Sequence, residues 1–220
     1  MTGHRPIDRA RLRLYVVTSS AFRGRSHLDV ASAAIEGGAT AVQLRAPELA
    51  EYEAYAVARE LVARSRPHGV LAIVNDLVDV AVAARADGVH VGQTDGPSKA
   101  RPALGRDGIL GVSVATVEDA RRAELEGADY VGLTVRSTAT KPDAEPVGID
   151  GLRAVAEATA LPVVAIGGID AANVADAIAA GAAGVAVVSA VAAADDPVSA
   201  VRELRAAVDA ALADAERTSA

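Results

Sequence analysis

The chain has 220 residues, of which 51% are hydrophobic and 23% charged, a balance typical of a globular protein. It contains no cysteine, which excludes disulfides, thiolate metal sites and cysteine nucleophiles. The net charge of −7 argues against a basic surface that binds the phosphates of a nucleic acid. With one Phe, four Tyr and no Trp, the chain also has few aromatic side chains on which bases could stack. We therefore expect no nucleic-acid partner.

The chain also lacks the sequence features of a membrane protein. No apolar run is long enough to cross a bilayer, and the first residues contain no apolar signal core. We expect no membrane partner and a cytoplasmic location. A single domain is predicted over 1–220, with short tails at 1–10 and 214–220. The sequence leaves the oligomeric state open, and a homo-oligomer is compatible with it.

Short β-branched runs alternate with longer Ala-rich segments of helical period to the end of the chain. Strands are predicted at 12–18, 40–44, 70–74, 87–91, 109–112, 129–133, 162–166 and 184–188. Helices are predicted at 27–37, 48–65, 77–85, 97–104, 116–126, 149–159, 171–180 and 197–213.

Residues typical of helix ends support these boundaries. Thr116 and Asp119 have the spacing of a capping box, and Asp170 is a candidate N-cap. Three glycines lie at the ends of predicted helices, where a residue in the left-handed conformation is common: Gly37, Gly127 and Gly181.

Eight consecutive strand–helix units predict the architecture. Strands that are apolar at nearly every position must be covered on both faces, which favours a parallel sheet. Eight right-handed units of this kind close most naturally into a (β/α)₈ TIM barrel, with an open doubly wound sheet as the alternative. In a barrel the chemistry lies at the carboxyl ends of the strands.

Ten polar residues and one glycine lie at those predicted strand ends, where a barrel would bring them around one mouth. They are Gln43, Arg45, Asn75, Asp76, Asp95, Ser113, Thr138, Thr140, Lys141, Gly168 and Ser189.

Two of these residues are candidate metal ligands. Asp76 and Asp95 follow neighbouring strands, and two carboxylates describe a Mg²⁺ site that keeps waters and shares substrate phosphate oxygens. The alternative is that each aspartate caps the helix after it. The pairing on adjacent strands, with Asn75 alongside, favours the metal.

Other residues at the same rim suit an anionic substrate. Arg45 and Lys141 supply positive charge, although a loop lysine such as Lys141 can also be merely solvated. Gly168, with Val188 and Ser189, suits a phosphate cradle built from backbone N–H groups. His90 lies within a strand, so we expect a hydrogen-bonded core histidine without a chemical role.

Several motifs in order carry a resemblance to a known family. They are LYVVT, GGATAVQLR, VNDLVDVAVAARADGVHVGQTD, GVSV, ADYVG, TATK, VVAIGGI and GVAVVSA. Over essentially its whole length the chain resembles thiamine phosphate synthases, which are (β/α)₈ transferases. These enzymes join a pyrimidine diphosphate to a carboxylated thiazole phosphate and release diphosphate.

The resemblance implies a role for each residue that matches a motif. Gln43, Arg45, Asn75, Ser113 and Lys141 would contact the pyrimidine diphosphate, with Arg45, Ser113 and Lys141 acting in catalysis. Asp76 and Asp95 would hold Mg²⁺. The thiazole phosphate would be bound by Thr138, Thr140, Gly168, Val188 and Ser189.

Two segments depart from the family pattern. The family usually reads QLRxK, whereas this chain has Pro47 at the lysine position. The loop 134–137 lacks the usual glycine and prolines, and Arg136 is a candidate to replace the missing charge.

Three rival interpretations follow. A thiazole tautomerase would use a histidine where this chain has Ala115. A non-catalytic barrel could bind thiamine phosphates, and another phosphate-binding barrel would share the loops after strands 7 and 8 but not the paired aspartates.

Overall fold

The computed structural model describes residues 7–20, 22–92, 96–137 and 145–218. Within them, eight parallel strands form a closed barrel in the order of the sequence, so the predicted TIM barrel is confirmed. The strands are β1 Leu14–Val17, β2 Ala41–Leu44, β3 Leu71–Asn75, β4 Gly88–Val91, β5 Ile109–Val114, β6 Tyr130–Thr134, β7 Val163–Ile166 and β8 Gly184–Val187.

Helices follow the strands and cover the outside of the barrel. They are α1 His27–Gly37, α2 Glu51–Ser65, α3 Val78–Ala84, α4 Gly96–Leu104, α5 Val117–Leu125, α6 Gly148–Ala158, α7 Val174–Ala179, α8 Ser189–Ala192 and α9 Pro197–Thr218. The short α8 and two 3₁₀ helices, at Arg9–Leu12 and Arg66–His68, were not predicted. Among the described residues no helix is both long and apolar enough to cross a membrane.

Strand alternation divides the core into two clusters. One face of each strand packs against the helices, as Val16, Val42 and Val74 do. The opposite face points into the barrel, where Tyr15, Ile73 and other side chains form a second, smaller cluster. The same inward face continues toward the carboxyl ends of the strands, which is how the barrel delivers side chains to the mouth.

The sequence predicted some helix ends correctly and missed others. The capping box of Thr116 and Asp119 is present, and Gly127 and Gly181 both have positive φ. The first helix ends differently, because Gly38, with φ 93°, takes the left-handed position expected of Gly37. Gly37 instead allows α9 to approach, since a Cβ there would lie 2.6 Å from Val201 Cγ1.

The last helix is longer than predicted and continues through the segment expected to be a tail. Its buried residues, Val201, Leu204, Val208 and Ala211, form one stripe, and the helix packs mainly against α1 and α7. Beyond them Asp214, Glu216, Arg217 and Thr218 are exposed and Ala215 is half-buried; these residues tolerate a helix, and Arg217 forms an ion pair with Asp214 one turn away. The helix therefore ends at Thr218 rather than at 213.

Candidate active site

A cavity of about 930 Å³ opens at the carboxyl ends of the strands. Seven residues that the sequence predicted for the site line it: Gln43, Arg45, Asn75, Ser113, Gly168, Val188 and Ser189. Asp76 is exposed at the rim beside Asn75. The other predicted site residues, Asp95, Thr138, Thr140 and Lys141, lie outside the described residues.

Strand β2 carries Gln43 and Arg45 into this cavity. Gln43 is buried in the strand, and its amide Nε2 donates a hydrogen bond to Tyr15 Oη at 2.8 Å. The backbone N–H of Arg45, just beyond the strand, donates to Thr18 Oγ1 at 3.3 Å. Loop residues after β1 therefore help to hold the arginine's backbone in position.

A hydrogen-bonded cluster beside Arg45 was not predicted from the sequence. Buried His27 lies 2.9 Å from Thr18 Oγ1 through Nδ1 and 2.8 Å from Glu48 Oε1 through Nε2, and Ser20 donates to the same carboxylate. Burial raises the pKa of Glu48, but hydrogen bonds from Ser20, its own backbone and His27 outweigh burial, so the pKa lies below its usual value. The cluster ties the loop after β2 to the loop after β1.

Asp76 adopts an unusual backbone conformation, with φ 60°. Its N–H donates to the His90 carbonyl at 2.9 Å, and its carboxylate accepts from Asn75 Nδ2 at 2.5 Å and from Gly92 N at 3.3 Å. Helix α3 has no side-chain cap, so the alternative that Asp76 caps it is wrong. The carboxylate instead reaches across to the chain that leaves β4 and leads toward Asp95.

The metal site itself is only partly described. Among residues 7–20, 22–92, 96–137 and 145–218, no group of three or more His, Asp or Glu side chains could hold a metal ion. Asp76 supplies one carboxylate of the predicted pair. Its partner Asp95 lies outside these residues, so the pair stays a prediction.

Polar side chains form a continuous hydrogen-bonded layer at the floor of the cavity. His90 lies 3.1 Å from Tyr130 Oη through Nδ1 and 3.0 Å from Ser113 Oγ through Nε2. The prediction of a hydrogen-bonded histidine is therefore confirmed, and His90 also lines the cavity. Ser113, expected just after its strand, lies within β5 because that strand continues to Val114.

The loops after β7 and β8 form the opposite wall. Gly167 and Gly168 both have positive φ, and Asn173 Nδ2 donates to the Gly168 carbonyl at 2.9 Å. Val188 and Ser189 stand at the start of α8, where the first N–H groups of a helix have no partner within the helix. This wall presents backbone rather than charged side chains.

The structure does not place Arg136 as the sequence suggested. Arg136 is not among the residues that line the cavity, and its guanidinium pairs with Asp176 of α7 at 3.3 Å. Pro47 does line the cavity, next to Glu48. Among the described residues, Arg45 is therefore the cationic side chain that lines the cavity.

Comparisons with known proteins agree with this geometry. The sequence model of a family described as thiamine monophosphate synthase matches residues 14–191, which include all eight strands. The chain belongs to this family. A thiamine-phosphate synthase from Chloroflexus aurantiacus is 52% identical over 89% of this chain and 92% of its own length. Another, from Moorella thermoacetica, is 47% identical over 89% and 95% of the two chains.

A solved structure of the same family has the same fold. Thiamine phosphate pyrophosphorylase from Pyrococcus furiosus aligns with a TM-score of 0.86 at 39% identity, covering 93% of this chain and 98% of that one. The resemblance drawn from the motifs is therefore confirmed.

Several residues in or beside the cavity were not predicted from the sequence. Tyr15, Tyr130, Thr18, His27 and Glu48 all contribute to it or hold residues that do. Thr18 directly follows the first strand, as other site residues follow theirs, and this position alone would have predicted it at the mouth. The two tyrosines belong to predicted strands that are mostly apolar, where each looks like a core residue.

Proposed function

We propose that this chain is a thiamine-phosphate synthase, a transferase acting on two small molecules. It would join 4-amino-2-methyl-5-(diphosphooxymethyl)pyrimidine to a carboxylated thiazole phosphate, giving thiamine phosphate, diphosphate and CO₂. The observation that carries the proposal is convergence on one cavity. Residues from the QLR, ND, GVSV and IGGI motifs, far apart in sequence, line the same mouth or its rim.

The reaction would begin with loss of diphosphate. The bond from the pyrimidine methylene carbon to oxygen breaks, its electrons leave with diphosphate, and the ring stabilises the resulting cation. Arg45 lines the cavity and Lys141 belongs to the same predicted rim, so both are assigned to the charge that develops on the diphosphate oxygens. Gln43, Asn75 and Ser113 would orient the pyrimidine diphosphate.

The second step needs no protein nucleophile. The thiazole nitrogen donates its electron pair to the methylene carbon, a C–N bond forms, and CO₂ leaves. Both ring nitrogens of His90 lie within hydrogen-bond distance of Tyr130 or Ser113, which suits a positioning role better than that of a base. Thr138 and Thr140 would contact the thiazole, and Gly168, Val188 and Ser189 would receive its phosphate.

Asp76 and Asp95 are the residues that would hold Mg²⁺. When bound, the ion would add positive charge beside the leaving diphosphate. The exposed, left-handed Asp76, with its carboxylate turned toward the loop after β4 instead of α3, fits a ligand position. We also propose that the protein is cytoplasmic, and a homo-oligomer is compatible with its sequence.

The test is an assay of the purified protein with both substrates, with and without Mg²⁺. We expect diphosphate and thiamine phosphate to appear together and to depend on Mg²⁺. Asp76→Ala should lose most of the metal-dependent rate, whereas Asp79→Ala, which removes an exposed carboxylate from the first turn of α3, serves as the matched control.

The outcomes separate the rival functions. Binding of both substrates without turnover would favour the non-catalytic barrel that Pro47 suggests. Isomerisation of the thiazole phosphate alone would favour a tautomerase, although Ala115 lines the cavity where that enzyme needs its histidine. Full Mg²⁺-dependent activity in Asp76→Ala would show that the metal assignment is wrong.

A further inference from the structure

His27 is a buried polar side chain to which the proposed reaction gives no role. It is the first residue of α1 and is 5% exposed. Its ring is not needed to cap that helix, because Ser26 and Asp29 form a capping box. Nδ1 lies 2.9 Å from Thr18 Oγ1, and Nε2 lies 2.8 Å from Glu48 Oε1. An apolar side chain would fill the same space without needing any partner, so the histidine adds directed contacts rather than burial.

Thr18 connects this ring to the backbone of Arg45. Thr18 is buried and directly follows β1. Its N–H donates to the Gln43 carbonyl at 2.9 Å, and its Oγ1 accepts from the Arg45 N–H at 3.3 Å. Because His27 contacts the same oxygen, it helps to hold Thr18 in the rotamer that reaches Arg45. The contact thereby fixes the point at which the chain leaves β2.

The same ring holds Glu48, three residues beyond Arg45. A carboxylate carries no hydrogen, so Glu48 Oε1 accepts from His27 Nε2. Pro47, just before Glu48, has a nearly fixed φ and restricts the residue that precedes it. The segment from Arg45 to Glu48 is therefore held at its start by Thr18 and at its end by the carboxylate. His27 contacts both of these points.

The charges at the mouth show why the position of this segment matters. Among the described residues Arg45 is the cationic side chain that lines the cavity, and Glu48 in the same segment is acidic. An ion pair between the two would neutralise the charge that a diphosphate needs. The Glu48 carboxylate is instead bound by Ser20 and His27, and within the described part of the chain no ion pair joins it to Arg45. This acidic neighbour therefore leaves the Arg45 charge available for an anion.

We propose that His27 is a positioning residue for Arg45 in the synthase reaction. Through Thr18 it fixes the backbone from which the arginine projects. Through Glu48 it keeps a nearby carboxylate from pairing with the guanidinium. The arginine is thereby held in place for the diphosphate before the substrate binds. This inference rests on the role of Arg45 in the proposed function, but binding alone, without turnover, tests it.

The first experiment measures the Kd of inorganic diphosphate by titration calorimetry at one fixed Mg²⁺ concentration. His27→Leu should raise this Kd about tenfold, which corresponds to about 1.4 kcal/mol at 25 °C. His27→Gln keeps a polar group with a donor and an acceptor in the same place and should recover part of the loss. An unchanged Kd in folded His27→Leu would overturn the proposal. A wild-type chain that does not bind diphosphate would overturn it together with the assignment of Arg45.

A double-mutant cycle shows whether the effect passes through Arg45. In an Arg45→Ala background, His27→Leu should raise the diphosphate Kd by less than twofold, because the group that His27 positions is gone. Equal effects of His27→Leu with and without Arg45 would refute the inference.

Thr18→Val tests the same contact if His27→Leu does not fold. The variant removes the oxygen that binds the Arg45 N–H but keeps a side chain of similar size. It should also weaken diphosphate binding, by less in Arg45→Ala than in the wild-type background. An unchanged Kd in Thr18→Val would contradict positioning through this oxygen.

Arg25→Gln is the matched control, since Arg25 attaches the same loop after β1 at another point. Its guanidinium donates to the Ala192 carbonyl at 2.8 Å and to the Asp195 carbonyl at 3.1 Å, at and beyond the end of α8. The proposal expects a diphosphate Kd within twofold of wild type in this variant. A tenfold loss would mean that general loosening of the loop, and not the contacts of His27, weakens binding.

Synthase kinetics separate this inference from the proposed function. In an active enzyme, His27→Leu should lower kcat/KM for the pyrimidine diphosphate about tenfold and leave KM for the thiazole phosphate unchanged, because Arg45 is assigned to the first substrate. Equal losses for both substrates would indicate a general structural defect and contradict the inference. A wild-type protein that binds diphosphate but forms no thiamine phosphate would refute the proposed function, and the binding cycle would still decide the role of His27.

Discussion

Glu48, which has no direct role in the proposed reaction, both lines the cavity and forms hydrogen bonds that contribute to the stability of the fold. Its carboxylate lies at the mouth beside Pro47 and is hydrogen-bonded to Ser20 and His27. The side chain is 45% exposed, so solvent screens these interactions and their energy is modest. Their structural effect is larger than their energy, since they tie together two loops on either side of Arg45.

Replacement of Glu48 should change stability in a pH-dependent way. A carboxyl whose pKa is lowered in the folded state contributes stability at pH values above its unfolded pKa, and that contribution is lost as pH falls through the folded pKa. Glu48→Gln should therefore lower the free energy of unfolding at pH 7, and the difference from wild type should shrink below pH 4.5. Urea denaturation at several pH values measures both quantities.

A matched variant distinguishes this effect from a general loss of charge. Glu203→Gln removes an exposed carboxylate from α9, away from the mouth, and should show no comparable pH dependence. A Glu48→Gln deficit that stays constant from pH 7 to pH 3.5 would mean that the carboxylate's ionisation does not stabilise the fold.

At the scale of single elements, Gly37 is needed for helix packing and not only as a residue at a helix end. It lies in the last turn of α1, not beyond it, and faces α9 where Val201 packs. The following Gly38 terminates the helix in the left-handed conformation. The two glycines therefore have different roles: Gly37 permits close contact between α1 and α9, and Gly38 permits the turn that ends α1.

Gly37→Ala should destabilise the protein by about 1–3 kcal/mol, since the added methyl group overlaps Val201 and the Val198 carbonyl. Val201→Ala alone should also destabilise it, by removing a buried side chain. Combined, the two changes should cost less than their sum, because the smaller residue at 201 makes room for the larger one at 37. Chemical denaturation of the four proteins measures this coupling, and strict additivity would contradict the close contact.

The hydrophobic pattern predicted the strands and their order, but not every element boundary. All eight strands and their order followed from the alternation of apolar runs, because a parallel barrel buries both faces of each strand. The end of β5 was placed too early, since Ser113 interrupts the apolar run although the backbone remains extended. Helix α8 was missed because four residues give no measurable helical period.

At the scale of the whole molecule, the rule that barrels gather strand ends at one mouth predicted most of the described site. Gln43, Arg45, Asn75 and Ser113 were found because each polar residue follows or ends an apolar run. The link between Tyr15 and Tyr130 could not be found in this way, as the residues are 115 positions apart and each looks like a core residue. Such a link depends on strand register and on the space left by glycines across the barrel.

Because the loops after many strands share one cavity, a ligand bound there should stabilise the barrel as a unit. At about one hundred times its Kd, a ligand that binds only the folded state contributes about 2.7 kcal/mol. For a domain of this size, that free energy corresponds to a rise in Tm of about 5–11 °C. We expect such a rise with the pyrimidine diphosphate and Mg²⁺, measured by differential scanning calorimetry.

The same measurement assigns the contribution of the metal. Without Mg²⁺, or in Asp76→Ala with Mg²⁺, the rise in Tm at the same ligand concentration should be smaller, because the diphosphate loses a cation that neutralises it. Asp79→Ala should retain the full rise, and inorganic phosphate at equal ionic strength should produce little. Equal rises in wild type and Asp76→Ala, each independent of Mg²⁺, would mean that Arg45 and the loops after β7 and β8 bind the anion without a metal at the rim.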